Sequence, residues 1–104
     1  MSLKEKQKIV DDWIKQYPEG YWDPMVGIYR LTEEVGELAR EVNHEFGPKK
    51  KKDSEDENEI GDEIVDIMFV LICLANSLDI DLDEKFEKMM KKYTERDGNR
   101  WKKG

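Results

Sequence analysis

With one cysteine and one histidine among its 104 residues, the sequence cannot supply the clustered thiolates and imidazoles of a zinc site. It has no run of the eighteen or so apolar residues that a membrane span needs. Positive charge is also short. Eighteen Lys and Arg stand against 25 Asp and Glu, a net charge of -7, which argues against nucleic acid or an anionic membrane as the main partner. The opening stretch, MSLKEKQKIV, lacks the apolar core of a signal peptide. There is no internal repeat or low-complexity domain, and the length suits one core rather than two. These absences lead to the expectation of a single-domain, soluble cytoplasmic protein spanning residues 1–104. The lone Cys73 lies in an apolar run and reads as a small core residue.

What the sequence does have is a very apolar stretch with an acid inside it. From Ile64 to Ala75, eleven of twelve residues are apolar and the exception is Asp66. An ionised carboxylate is costly to bury there unless it is paired or bound. Glu63, three residues earlier, shares its helical face, so two like charges are pressed together. A divalent cation is the simplest group that makes such a pair favourable.

Four helices are expected around this stretch. Residues 3–16 place Ile9, Val10, Trp13 and Ile14 near one face, and Pro18 and Gly20 break the helix. Trp13, Tyr21 and Trp22 gather at the break, either as aromatic packing between helices or as a stacking surface for a flat ligand. A second helix, Pro24–Phe46, carries an apolar stripe of Ile28, Leu31, Val35, Leu38, Val42 and Phe46 expected to face a core. Its acids are less ordinary: Glu34, Glu37 and Glu41 line one face with Glu33 beside them, and His44 continues the row. Residues 47–58, GPKKKKDSEDEN, form a charged loop that is a solvated connection or a lysine lid over an anionic ligand. Between Ile64 and Leu78 the third helix is apolar nearly all round and needs cover on several sides, so self-association in a shared four-helix core is expected, the alternative being a monomer with an unusually apolar centre. A fourth helix begins at Asp81, where Asp81 and Glu84 fit a capping box. Leu82, Phe86, Met89, Met90 and Tyr93 form its apolar stripe. Its other face, with Lys85, Lys88, Lys91, Lys92 and Arg96, is a solvated basic surface or a site for metal-bound phosphate. Residues 97–104 read as a loose tail in which Trp101 could pack on a neighbouring subunit.

Two acid pairs stand out, Glu34-x-x-Glu37 and Glu63-x-x-Asp66, on helices that the charged loop can fold against each other. Four hard oxygen donors suit Mg²⁺ or Mn²⁺. At this point the chain resembles the MazG-like nucleotide pyrophosphohydrolases, whose pattern is EExxE, a spacer, then ExxD. Here the pattern stands as Glu33-Glu34-Val35-Gly36-Glu37, 25 residues, then Glu63-Ile64-Val65-Asp66. The flanking text LTEEVGELAREVN and DIMFVLICLANSLDIDL is similar too, and the likeness covers about residues 25–96. The resemblance implies an all-α fold of four-helix-bundle type whose core is completed in a dimer or tetramer. It also implies a Mg²⁺-dependent enzyme that cuts a nucleoside triphosphate between its α and β phosphates, with Glu34, Glu37, Glu63 and Asp66 as metal ligands. In such a reaction Glu33 or Glu41 is the candidate proton acceptor. Lys88, Lys92 and Arg96 are candidates for the outer phosphates, and His44 or Trp22 (with Trp13 as a rival) for the base. Where the family often has an Asn in its last helix, this chain has Tyr93 nearby.

Two other classes are open at this stage. The spacing of Glu41 and His44 fits one half of a di-iron bundle motif, but a single histidine makes that a poor match. The other class is a non-catalytic helical oligomerisation module in which the acids are a solvated face.

Overall fold

The computed structural model describes residues 1–48 and 59–98, and these form four α-helices with no strand among the described residues. The helices are α1 (Leu3–Ile14), α2 (Pro24–Phe46), α3 (Ile60–Ser77) and α4 (Leu82–Asp97). Most of the charged loop (49–58), with its four lysines, and Trp101 of the tail lie outside the described residues. No helix of the described residues is long and apolar enough to cross a membrane.

Local chemistry sets each boundary. Ser2 caps α1 by accepting the Glu5 N–H, and Glu5 accepts the Ser2 N–H in return, so two otherwise unpaired donors are satisfied. This helix stops at Ile14, two residues before the expected end, and the chain turns through Gly20 at φ +65°. Asp23 accepts the Met25 N–H and Pro24 starts α2, a position where a missing N–H costs nothing. At the end of α3 the Ile80 N–H reaches the Ala75 carbonyl and the Asp79 N–H reaches that of Asn76. Asp79 takes the left-handed conformation at φ 54° that this closing motif requires. Asp81 then caps α4 by accepting the Glu84 N–H at 3.2 Å, the Asp81 half of the expected box.

Helix α3 is the centre, packed against α2 and α1, while α4 packs on α1. Two polar junctions fix this arrangement. The Asp83 carboxylate of α4 accepts the Leu3 and Lys4 N–H groups, both at 3.1 Å, and so caps the start of α1 from the far end of the chain. Buried Gln7 donates to Asn76 Oδ1 at 2.9 Å and to the Ile80 carbonyl at 2.7 Å, and accepts the Leu82 N–H at 3.0 Å. Asn76 in turn donates to the Gln7 carbonyl and to the Tyr21 hydroxyl. One glutamine and one asparagine thus tie α1, the α3–α4 turn and the α1–α2 segment together.

The apolar core, by contrast, is small. Among the described residues only Val70, Ile72 and Ala75 are buried hydrophobics. The stripe of α2 expected to face a core is largely open in the single chain, with Val35 49% and Phe46 78% exposed. The stripe of α4 is open too, at Phe86, Met89, Met90 and Tyr93. The physical reason is that α1 and α2 cover α3 on only part of its girth, and α4 leans on α1 instead of closing the gap.

Asn76→Ala removes two donated bonds and leaves the amide of buried Gln7 without its side-chain acceptor. We expect a loss of about 2 kcal/mol of unfolding free energy, read from urea unfolding, whereas a loss under about 0.5 kcal/mol would mean that the network carries no weight.

Candidate metal centre and its surroundings

The packing of α2 on α3 brings Glu34 and Glu37 of one helix to Glu63 of the other. One carboxylate oxygen from each lies within 4.8 Å of the others. Glu34 and Glu63 are buried, each 2% exposed, and Glu37 is exposed. Burial pushes the Glu34 carboxyl above its ordinary range; Arg30 opposes this, and the Glu37 and Asp66 charges add to it. Burial likewise pushes Glu63 up, with Glu37, Asp66 and Glu34 adding to the effect. Both shifts have the causes expected of like charges crowded in a poorly hydrated place.

Glu34 shows how these acids are held. Its Oε1 receives the Arg30 guanidinium at 2.8 Å. Its Oε2 is buried and has no hydrogen-bond partner among the described residues. A buried, unpartnered carboxylate oxygen beside two more carboxylates, with no sulfur or imidazole in the group, fits a hard divalent cation.

Asp66 differs from its expectation. It is exposed, so the acid inside the apolar run is not the buried one; Glu34 and Glu63 are. The reason is the incomplete cover of α3, whose adjacent Ile64 and Val65 are also 45% and 61% exposed. Asp66 still lies close enough to raise both buried carboxyls by repulsion, although it falls outside the three-carboxylate group.

The remaining acids of α2 separate. Glu33 faces solvent and pairs with Arg30 at 3.3 Å. The Glu41 side chain is 13% exposed, and its Oε1 lies 3.9 Å from His44 Nδ1. His44 is 8% exposed at its side chain, so it is neither an open helix-end residue nor an exposed stacking ring. Arg30 was missed in the sequence. Its signal was there in the spacing, since a cation three and four residues before Glu33 and Glu34 lies on their face.

The aromatic residues at the helix break enclose a cavity of about 340 Å³, with Trp13, Tyr17, Tyr21, Trp22, Phe69 and Cys73 in its walls. The Trp13 ring meets Tyr17 and Phe69 edge-on, with centroids 5.2 and 5.8 Å away. Tyr21 donates its hydroxyl to Asp11 at 2.5 Å, and burial with that bond pushes its pKa up to about 12. Burial pushes the Cys73 thiol up as well, leaving it a neutral wall rather than a nucleophile. Phe69 and Cys73 follow Asp66 by three and seven residues, so they continue its face of α3. The cavity therefore lies along the same face of α3 as the carboxylates.

Lys88, Lys92 and Arg96 line an open groove along α4 with Tyr93 and other residues of that helix alone. None of the four motif carboxylates borders it. Arg96 binds Asp97 at 2.9 Å and lies over the Tyr93 ring, 5.1 Å from its centroid. Among the described helices α4 packs on α1, and the acid cluster lies between α2 and α3.

Comparison with known proteins bears on this arrangement. Residues 26–101 match the family model for the MazG nucleotide pyrophosphohydrolase domain. The YpjD protein of Bacillus subtilis (strain 168) is 52% identical over 100 residues, covering 96% of this chain and 90% of that protein. The crystal structure of YpjD superposes with a TM-score of 0.80, covering 89% of this chain and 95% of that one. A Bacillus-conserved MazG protein described as a nucleotide pyrophosphohydrolase is 45% identical, with a TM-score of 0.78 over 89% of this chain and 90% of that one.

The raised carboxyls have a sign that can be tested without any metal. Glu34 and Glu63 bind protons more tightly folded than unfolded, so they favour folding near and below their ordinary value of 4.5. That contribution is lost as pH rises through the raised values. In chelator, Tm of the wild type should therefore fall more between pH 4.5 and 8 than Tm of Glu63→Gln; parallel descents would show that the cluster is not under repulsive load.

Proposed function

Because this chain belongs to the MazG nucleotide pyrophosphohydrolase family and is a nucleotide pyrophosphatase, we propose that it hydrolyses nucleoside triphosphates between the α and β phosphates, giving a nucleoside monophosphate and pyrophosphate, in a Mg²⁺-dependent reaction. The observation that carries this reading is the three-carboxylate group across α2 and α3, two of its members buried and one with an orphaned oxygen. Family membership sets aside the non-catalytic module, and a carboxylate group that does not include His44 counts against the Glu41–His44 di-iron match.

Glu34, Glu37 and Glu63 would hold Mg²⁺ (or Mn²⁺), with Asp66 completing the set from its exposed side. When bound, the cation neutralises phosphate charge and makes a water more acidic. The chain's own groups do the rest. Of the two candidates for accepting the proton of the attacking water, Glu33 is engaged with Arg30 on the solvent side. The sheltered Glu41, one turn beyond Glu37, is the better choice. The burial of His44 against Glu41 favours a role in orienting that carboxylate over the expected one in stacking on a base.

The aromatic cavity suits a nucleobase. Its rings offer flat apolar area, and Trp13 and Trp22 are each about half exposed at its rim. Because Phe69 and Cys73 continue the face of Asp66, a nucleotide with phosphates at the acids would extend its base toward these rings. Lys88, Lys92 and Arg96 are then candidates for the outer phosphates from a second copy of the chain. Self-association is supported independently by the uncovered apolar faces of α2, α3 and α4, since such extensive exposed apolar surface marks an interface. The working unit is thus a single-domain chain assembled as a homodimer or tetramer. An acidic chain of this kind fits a cytoplasmic enzyme acting on free nucleotides, in nucleotide-pool housekeeping, rather than on nucleic acid or membranes.

Incubated with ribo- and deoxyribonucleoside triphosphates, the protein should release pyrophosphate only when Mg²⁺ or Mn²⁺ is supplied. Asp66→Asn should lower kcat roughly 100-fold or more with the helical circular dichroism unchanged. Release of orthophosphate alone would contradict the bond assignment.

Sedimentation should give two or four times the 12.4 kDa chain mass. A monomer at every concentration, still fully active, would remove the composite site.

A further inference from the structure

The Arg30–Glu34 pair carries a consequence for the carboxylate cluster. Glu34 presents two oxygens in an almost fully buried place, and the two meet different fates. Oε1 is held by the Arg30 guanidinium at 2.8 Å, while Oε2 has no hydrogen-bond partner among the described residues. The terminal torsion of a glutamate is soft, so nothing in the side chain itself decides the plane in which the carboxylate lies. A charge-assisted bond to one oxygen does decide it. Arg30 is itself fixed from a second side by Glu33 at 3.3 Å, and its half-exposed side chain reaches the buried Glu34 from the solvent side.

We propose that Arg30 is a positioning residue for the cation site: by occupying Oε1 it leaves Oε2 of Glu34 as the single preset donor, and Glu33 serves to hold Arg30 in place. This rests on the reading of Glu34, Glu37 and Glu63 as cation ligands. The role is unusual in sign. A guanidinium is a positive charge beside a site for another positive charge, and by Coulomb's law alone its loss strengthens cation binding. If its work is to orient the ligand, its loss weakens binding, as happens when an outer partner of a metal ligand is removed. Position and charge therefore give opposite outcomes in one measurement.

The measurement is Mn²⁺ binding to the full chain in the absence of nucleotide, with free Mn²⁺ counted by electron paramagnetic resonance and heats followed by calorimetry. Arg30→Met, which keeps an apolar stem and removes every donor, should raise the Kd for Mn²⁺ by roughly tenfold or more. Arg30→Lys, which keeps one cationic donor for Oε1, should recover binding to within about threefold of wild type. An unchanged or lower Kd in Arg30→Met overturns the positioning role. Should that variant not fold, Arg30→Gln takes its place, with a weakened affinity expected and a tightened or unchanged one counting against the proposal. Wild-type protein that takes up no Mn²⁺ would remove the cation site itself and this role with it. Wild-type binding that survives in Arg30→Met would remove only the role of Arg30.

Discussion

Two buried glutamates on facing helices are the constraint on which the rest of the molecule depends. Glu34 and Glu63 come together because α2 and α3 pack on each other, and that packing is driven by apolar residues on the same two helices. Hydrophobic association thus forces like charges into contact, in a place where water cannot relieve them. Glu34 is paired with Arg30, which is half exposed and shared with Glu33. Crowded in this way, both carboxyls are held above their ordinary range, and a bound divalent cation would relieve that repulsion.

The second feature is the imbalance between polar and apolar cohesion. Three buried hydrophobic side chains among the described residues are a thin core, yet the polar junctions are well satisfied. Gln7 and Asn76 exchange bonds with one another and with three backbone groups, and Asp83 satisfies two N–H groups at the start of α1. These bonds set the relative positions of helices, which apolar contacts alone do loosely. The apolar faces of α2 and α4 are left as surface that a neighbouring chain can cover.

Much of this was legible in the sequence because it depended on local spacing. The helix breaks at Pro18 and Gly20, the Pro24–Phe46 span and the Asp81 cap all follow from residues within a turn of the boundary. The acid pairs were legible for the same reason, since three- and four-residue spacings place Glu34 with Glu37 and Glu63 near Asp66. What the sequence did not disclose was which acid is sheltered. The apolar neighbours of Asp66 suggested burial, but burial depends on what covers α3 from outside, and among the described residues Asp66 is left exposed. The stripe of α2, expected to face a core, is open in the single chain: periodicity marks a face that seeks a partner without saying whether the partner is in the same chain. The Gln7–Asn76–Tyr21 network was invisible because its members are separated by 55 and 69 residues.

The cap that Asp83 places on α1 also bears on the order in which the chain can become structured. The N–H groups of Leu3 and Lys4 find their acceptor 80 and 79 residues later, so during synthesis the first helix emerges long before the carboxylate that completes it. Contacts of such separation are closed only after a large loss of chain entropy. Until α4 arrives, the start of α1 is closed by the Ser2–Glu5 box, and its aromatic partner Phe69 is also still to come. The helix made first is therefore among the last to be fixed, and the aromatic cavity it walls takes shape only when the chain is almost complete.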